Sequence, residues 1–244
     1  MASKEMYALG SQASVIRDLF AYGQEQAAIV GKENVFDFSI GNPTVPACVK
    51  EAIEDILETR ESVAIHGYTA ASGDASVRQG LADYMNQTYD AQVRADNFYM
   101  TCGAAASLTI SLKALVEGPD DKIILIAPFF PEYTVFVHNA NAKAVVLPPD
   151  TEHFQISLDA LEKAITPHTR AIIINSPNNP SGVVYSADTY EKLAALLTRK
   201  SQEIGHPIYI ISDEPYREII YDGLPILYVP KFYKDTIICY SYSK

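Results

Sequence analysis

The chain has 244 residues, 48% of them hydrophobic, enough to bury a sizeable core in one large or two ordinary domains. Its net charge of -11 argues against a nucleic-acid or anionic-membrane partner, because the basic footprint that such surfaces require is missing. Three cysteines lie far apart with no CxxC pair, which points to neither a disulfide framework nor a zinc site, and no apolar run approaches the roughly 18 residues that span a bilayer; the chain reads as cytoplasmic, with small soluble ligands.

Apolar positions at helical spacing predict helices over 11-29, 46-60 and 75-89. From residue 101 the character changes. The stretch TCGAAASLTISLKALVEG reads as a loop that opens a helix, and KIILIAPFF (122-130) as a short, nearly continuous apolar strand. AKAVVLP (142-148) predicts a second strand and SLDALEKAI (157-165) a short helix. TRAIIINSP (169-177), a helix over 187-204, PIYIISD (207-213) and TIICYS (236-241) complete the series. Apolar strands separated by helices imply an α/β fold: three layers, α/β/α, around a mainly parallel sheet. No repeat, low-complexity tract or linker interrupts it.

In such sheets ligands gather beyond the carboxyl ends of the strands. Four strand ends carry unusual residues: the run from Pro128 to Tyr133 with Phe130, the loop Ser176 to Gly182 with Asn179, the run Asp213 to Arg217 with Tyr216, and Ser241-Tyr242-Ser243-Lys244. Each has an ordinary structural explanation in turn formation, helix capping, core packing or a solvated lysine. Their convergence on one edge of one sheet is harder to explain that way. A desolvated lysine joins an aldehyde as a Schiff base, a carboxylate keeps a pyridine nitrogen protonated, an aromatic face covers a planar ring, and a helix N-terminus such as Gly103-Ala104-Ala105 takes a phosphate. Pyridoxal 5'-phosphate needs all four.

On these residues the chain resembles the class I/II aminotransferases, pyridoxal-phosphate enzymes of fold type I similar to aspartate aminotransferase. Asn179-Pro180-Ser181-Gly182 resembles the family's Asn-Pro-(Thr/Ser)-Gly, Asp213-Glu214-Pro215-Tyr216 its Asp-x-x-Tyr, and Ser241-Tyr242-Ser243-Lys244 its Ser-x-Ser-Lys, in family order from about Phe36 to Lys244. The resemblance implies that Asn179 and Tyr216 bind the cofactor's phenolic oxygen, Asp213 the ring nitrogen, Ser241 and Ser243 with Gly103, Ala104 and Ala105 the phosphate region, and that Lys244 is the Schiff-base residue. Phe130 would stack on the ring, with Tyr133 close by as the competing aromatic. Tyr68 would reach the phosphate of a neighbouring subunit in a homodimer, and Gly41 would meet the substrate carboxylate. It further implies transamination between an amino acid, aspartate or a broader or aromatic set, and a 2-oxo acid. A C-S lyase or 1-aminocyclopropane-1-carboxylate synthase of the same fold, or a non-catalytic pyridoxal-phosphate-binding regulator, would use the same residues. No GxGxxG follows an early strand, which counts against a nicotinamide enzyme. By resemblance, 1-40 form an N-terminal arm with part of a small domain, 41-244 an incomplete cofactor-binding large domain, and a C-terminal small domain is absent, so the sequence is expected to be a fragment ending at the catalytic lysine.

Overall fold

A computed structural model describes residues 3-11, 15-39, 41 and 47-244. The chain divides into two compact units, Met1–Thr59 and Arg60–Lys244. The boundary expected at 40/41 falls inside the first of them.

The first unit holds α1 (Lys4–Gly10), α2 (Val15–Val30) and α3 (Ala47–Thr59). The helices expected over 11-29 and 46-60 correspond to α2 and α3, while positions 12-14 and 46 of those expectations lie outside the described residues. Helix α1 was not foreseen. Ser3 accepts a hydrogen bond from the Met6 N–H and thereby caps it, satisfying a donor that the first turn cannot.

The second unit opens with α4 (Ser62–His66) and α5 (Ala75–Tyr89). Asp74 starts α5 by taking the N–H groups of Ser76 and Val77 at 2.8 and 3.1 Å. There follow α6 (Ala104–Leu115), β1 (Lys122–Ile126), α7 (Tyr133–Asn139), β2 (Lys143–Leu147), α8 (Leu158–Ala164), β3 (Thr169–Asn175), α9 (Ala187–Ile204), β4 (Tyr209–Asp213) and β5 (Thr236–Cys239). The five strands form one sheet in the order β2-β1-β3-β4-β5, and every pairing is parallel.

Alternate strand residues feed two cores, because successive side chains leave opposite faces of a strand. Ile124, Ile172, Ile174 and Ile210 pack with Leu193 and Leu197 of α9 and Leu161 of α8. Ile123, Leu125, Ile173 and Ile211 pack on the other face with Leu108 and Leu112 of α6 and Val137 of α7. Both faces are covered, which is why these strands read as continuous apolar runs instead of alternating ones.

Several expected elements are shorter than their apolar runs. The first strand ends at Ile126, because proline at 128 lacks the N–H that a ladder requires, and the chain turns there into α7. Helix α7, sequence YTVFVHN, is β-branched and aromatic, and packing of Tyr133 and Val137 overrides its weak helical propensity. The last three expected strands likewise stop or start where the loops begin, β3 at Asn175 and β5 at Cys239.

Candidate active site

Since all five strands run parallel, their carboxyl ends share one edge. Register places Asn175 opposite Asp213 and Asp213 opposite Cys239, a row of three residues at the last ladder position. The loops carrying the sequence motifs depart directly from that row. Asn175 organises them: its Nδ2 donates to the Asp213 carbonyl at 2.8 Å, and its Oδ1 accepts the Asn179 N–H at 2.6 Å. The Asn179 side chain is thereby aimed at Tyr216, to whose hydroxyl its Nδ2 donates at 3.1 Å. Asn178 shapes the rest of the loop, its Oδ1 taking both the N–H and the hydroxyl of Ser181 at 3.0 and 2.8 Å.

Asp213 is the unusual group. It is 5% exposed, and its Oδ2 accepts the Tyr133 hydroxyl at 2.5 Å, while its Oδ1 is buried without a hydrogen-bond partner among the described residues. Burial pushes the carboxyl up to about 6; the Tyr133 hydrogen bond opposes that rise and the neighbouring Glu214 adds to it. An unpartnered buried carboxylate oxygen is costly, so a site that keeps one is suited to a ligand that brings a donor.

A second set lies where α6 begins. Gly103 is its N-cap at φ +86°, a conformation that glycine adopts without strain. The first intrahelical bond runs from the Ser107 N–H to the Gly103 carbonyl, so the N–H groups of Ala104 and Ala105 have no helical partner. Thr101 braces the turn, donating to the Gly103 carbonyl at 3.0 Å and sharing a 2.7 Å contact with the Ser107 hydroxyl. Ser241 stands beside this turn: a Cβ on Gly103 would lie 3.9 Å from its Oγ. That Oγ also accepts the Ser243 N–H at 3.1 Å and meets the Ser243 hydroxyl at 2.9 Å. Lys244 follows, exposed.

The structure therefore brings Asn179, Tyr216 and Asp213 together, and Gly103 with Ser241 and Ser243. Phe130 meets the ring of Tyr133 edge-on, 5.8 Å between centroids, so of the two neighbouring aromatics it is Tyr133 that touches Asp213. Tyr68 is fully exposed. Gly41 belongs to the first unit and is exposed there. Sequence reasoning missed Asn175, Thr101 and Ser107; the only signal for Asn175 was an amide closing the apolar run AIIIN. No group of three or more His, Cys, Asp or Glu among the described residues could hold a metal ion, and no helix among them is long and apolar enough to cross a membrane.

The donor set fits pyridoxal phosphate. A protonated pyridine nitrogen supplies what Oδ1 of Asp213 lacks, a phenolic oxygen suits Asn179 with Tyr216, and a phosphate suits the free amides of α6 beside the Ser241 hydroxyl.

The family described as "Aminotransferase class I and II" matches residues 33-244. Among solved structures, an amino transferase from Eubacterium rectale is 56% identical, with a TM-score of 0.97 over 100% of this chain and 62% of that one. An aspartate aminotransferase of Rhizobium meliloti is 31% identical over 73% of this chain and 41% of its own. Aromatic-amino-acid aminotransferase 2 of Thermococcus litoralis is 29% identical over 95% of this chain and 57% of its own. The chain spans about half the length of the curated relatives it matches.

Proposed function

Because the chain belongs to the class I and II aminotransferases, with the fold type I architecture and pyridoxal phosphate dependence of that family, we propose that the complete protein transfers an amino group from an amino acid to a 2-oxo acid at this sheet edge. The observation that carries the reading is the buried, unpartnered Oδ1 of Asp213 beside the Asn179–Tyr216 pair.

When bound, pyridoxal phosphate supplies an aldehyde for the amino group and a ring that withdraws electrons from the substrate's α-carbon. Asp213 holds a proton at the ring nitrogen through Oδ1, and Tyr133 fixes the carboxylate's orientation through Oδ2. Asn179 and Tyr216 bind and orient the phenolic oxygen. Gly103, Ala104, Ala105, Ser241 and Ser243 hold the phosphate, and Phe130 lines the ring. The Nζ of Lys244 would hold the cofactor through its aldehyde and would take the proton from the α-carbon of the amino acid.

The relatives' names favour transamination over elimination, and they include donors of both acidic and aromatic character. Three further expectations belong to the same proposal: residues 41-244 as part of the cofactor-binding domain, a cytoplasmic location, and a homodimer in which the exposed Tyr68 meets the phosphate of the other subunit. Borohydride reduction of the complete protein followed by peptide mapping tests the central assignment. A phosphopyridoxyl group on Lys244 is expected, and Lys244→Ala should lower amino transfer by about 10^4-fold. An unmodified Lys244, or near-normal turnover in the variant, would refute it.

A further inference from the structure

Strand β5 ends at Cys239, whose carbonyl accepts the Glu214 N–H at 2.8 Å. Immediately beyond it lie the residues assigned to phosphate and amine chemistry, Ser241 to Lys244. Ser243 and Lys244 are exposed, so burial does little to fix where Ser241 directs its hydroxyl. The residue that links Ser241 to the sheet is Tyr240, and Tyr240 has an uncommon neighbour.

Arg217 is 3% exposed, and its guanidinium lies 4.9 Å from the centroid of the Tyr240 ring and 5.3 Å from that of Tyr89 on α5. Glu214 holds it from the side: Nε donates to Glu214 Oε2 at 2.6 Å and Nη2 donates to the same oxygen. The other Glu214 oxygen accepts the Ser212 hydroxyl at 2.6 Å, and Nη1 of Arg217 meets Met85 Sδ at 3.2 Å. Nε, Nη1 and Nη2 each have a partner, and both tyrosine rings lie within cation–π range of the guanidinium. A buried ion pair contributes little net stability, since desolvation offsets most of the attraction; what it fixes well is geometry. Here the geometry fixed is a planar cation against the ring next to Ser241. Tyr242 meets Tyr240 edge-on at 5.0 Å, so the clamp reaches both residues flanking Ser241.

We propose that Arg217 is a positioning residue for the cofactor phosphate: anchored by Glu214, it clamps Tyr240 and so sets where the Ser241 hydroxyl stands against the Gly103 turn. The proposal rests on the phosphate-site reading above. It differs from a purely structural role in one respect. A loosened clamp should affect the phosphate end of the cofactor and not the ring end held by Asp213, Asn179 and Tyr216.

The test is a pair of equilibrium titrations on the complete protein, with pyridoxal phosphate and with pyridoxal, which lacks the phosphate. Arg217→Lys keeps the charge but loses the planar fork and face, and should weaken pyridoxal phosphate roughly tenfold while leaving pyridoxal within about twofold. Tyr240→Leu should do the same without disturbing the buried pair, and it carries the test if the lysine variant does not fold. Tyr240→Phe keeps the ring and should bind as the natural protein does. Adding Ser241→Ala to Arg217→Lys should cost no more than Ser241→Ala alone, since both act through one hydroxyl. Equal weakening of both ligands, or unchanged selectivity in Arg217→Lys and Tyr240→Leu, overturns the positioning role alone. A natural protein that binds pyridoxal as tightly as pyridoxal phosphate overturns the phosphate-site reading and this proposal with it.

Discussion

The two edges of the sheet each bury an aspartate, and the two are treated in opposite ways. At the amino edge Asp121 is 4% exposed; its Oδ2 takes the N–H groups of Glu117 and Gly118 at 2.7 and 3.2 Å, and its Oδ1 takes Arg170 Nε at 2.9 Å. Burial pushes this carboxyl up, but those donors outweigh it and hold the group below the usual carboxylate value. At the carboxyl edge Asp213, as little exposed but set deeper in the protein, has Tyr133 on one oxygen and no described residue on the other, and burial wins. The difference separates a carboxylate that completes the fold from one that the fold leaves incomplete. The satisfied aspartate closes the turn into β1 and ties it to β3 through Arg170; the unsatisfied one has an oxygen to which none of the described residues donates.

That contrast can be broken by substitution. The largest effect is expected for Asp213→Asn in the complete protein, which keeps the shape and removes the charge: amino transfer should fall by on the order of 10^2 to 10^3-fold, as for the loss of one preorganised electrostatic partner. Stability should respond differently. Because the Asp213 carboxyl binds its proton more tightly folded than unfolded, it favours folding below about pH 4, and that contribution is lost as pH rises through about 6. Denaturant melts of the cofactor-free protein across that window should therefore be flatter for the asparagine variant; an unchanged pH dependence would contradict the elevated carboxyl.

The converse applies at the other edge. Asp121→Ala removes the acceptor for two backbone donors and an arginine, and should cost roughly 2 to 3 kcal/mol of stability. Turnover per folded molecule should not change. If activity fell as far as in Asp213→Asn, the division of labour between the edges would be wrong.

Tyr133→Phe sharpens the comparison with the smallest effect. It removes the partner of Asp213 Oδ2, costing about 1 kcal/mol, or roughly fivefold in turnover near neutral pH. Since the Tyr133 hydrogen bond opposes the rise in the Asp213 carboxyl, its loss should raise that group further and, in denaturant melts of the cofactor-free protein, move the pH at which its stabilising contribution is lost to a higher value. A pH dependence that stays in place would show that Tyr133 orients Asp213 without tuning it.

The sequence by itself determined the layered parallel architecture, because runs such as IILI (123-126) and AIII (171-174) are apolar at every position, as strands covered on both faces are. It also placed Asn179, Asp213, Tyr216 and Ser241 at or just beyond the carboxyl ends of β3, β4 and β5, which lie at one edge because parallel strands point the same way. Helix α7 was not legible, because its residues favour a strand locally and only the burial of Tyr133 and Val137 against the sheet makes them helical. The pairing of Tyr133 with Asp213, the amide of Asn175 that aims Asn179, and the grip of Glu214 and Arg217 on Tyr240 depend on side chains from separate strands and helices meeting within hydrogen-bond or ring-contact range. No local pattern encodes such meetings, and strand order with register decides them.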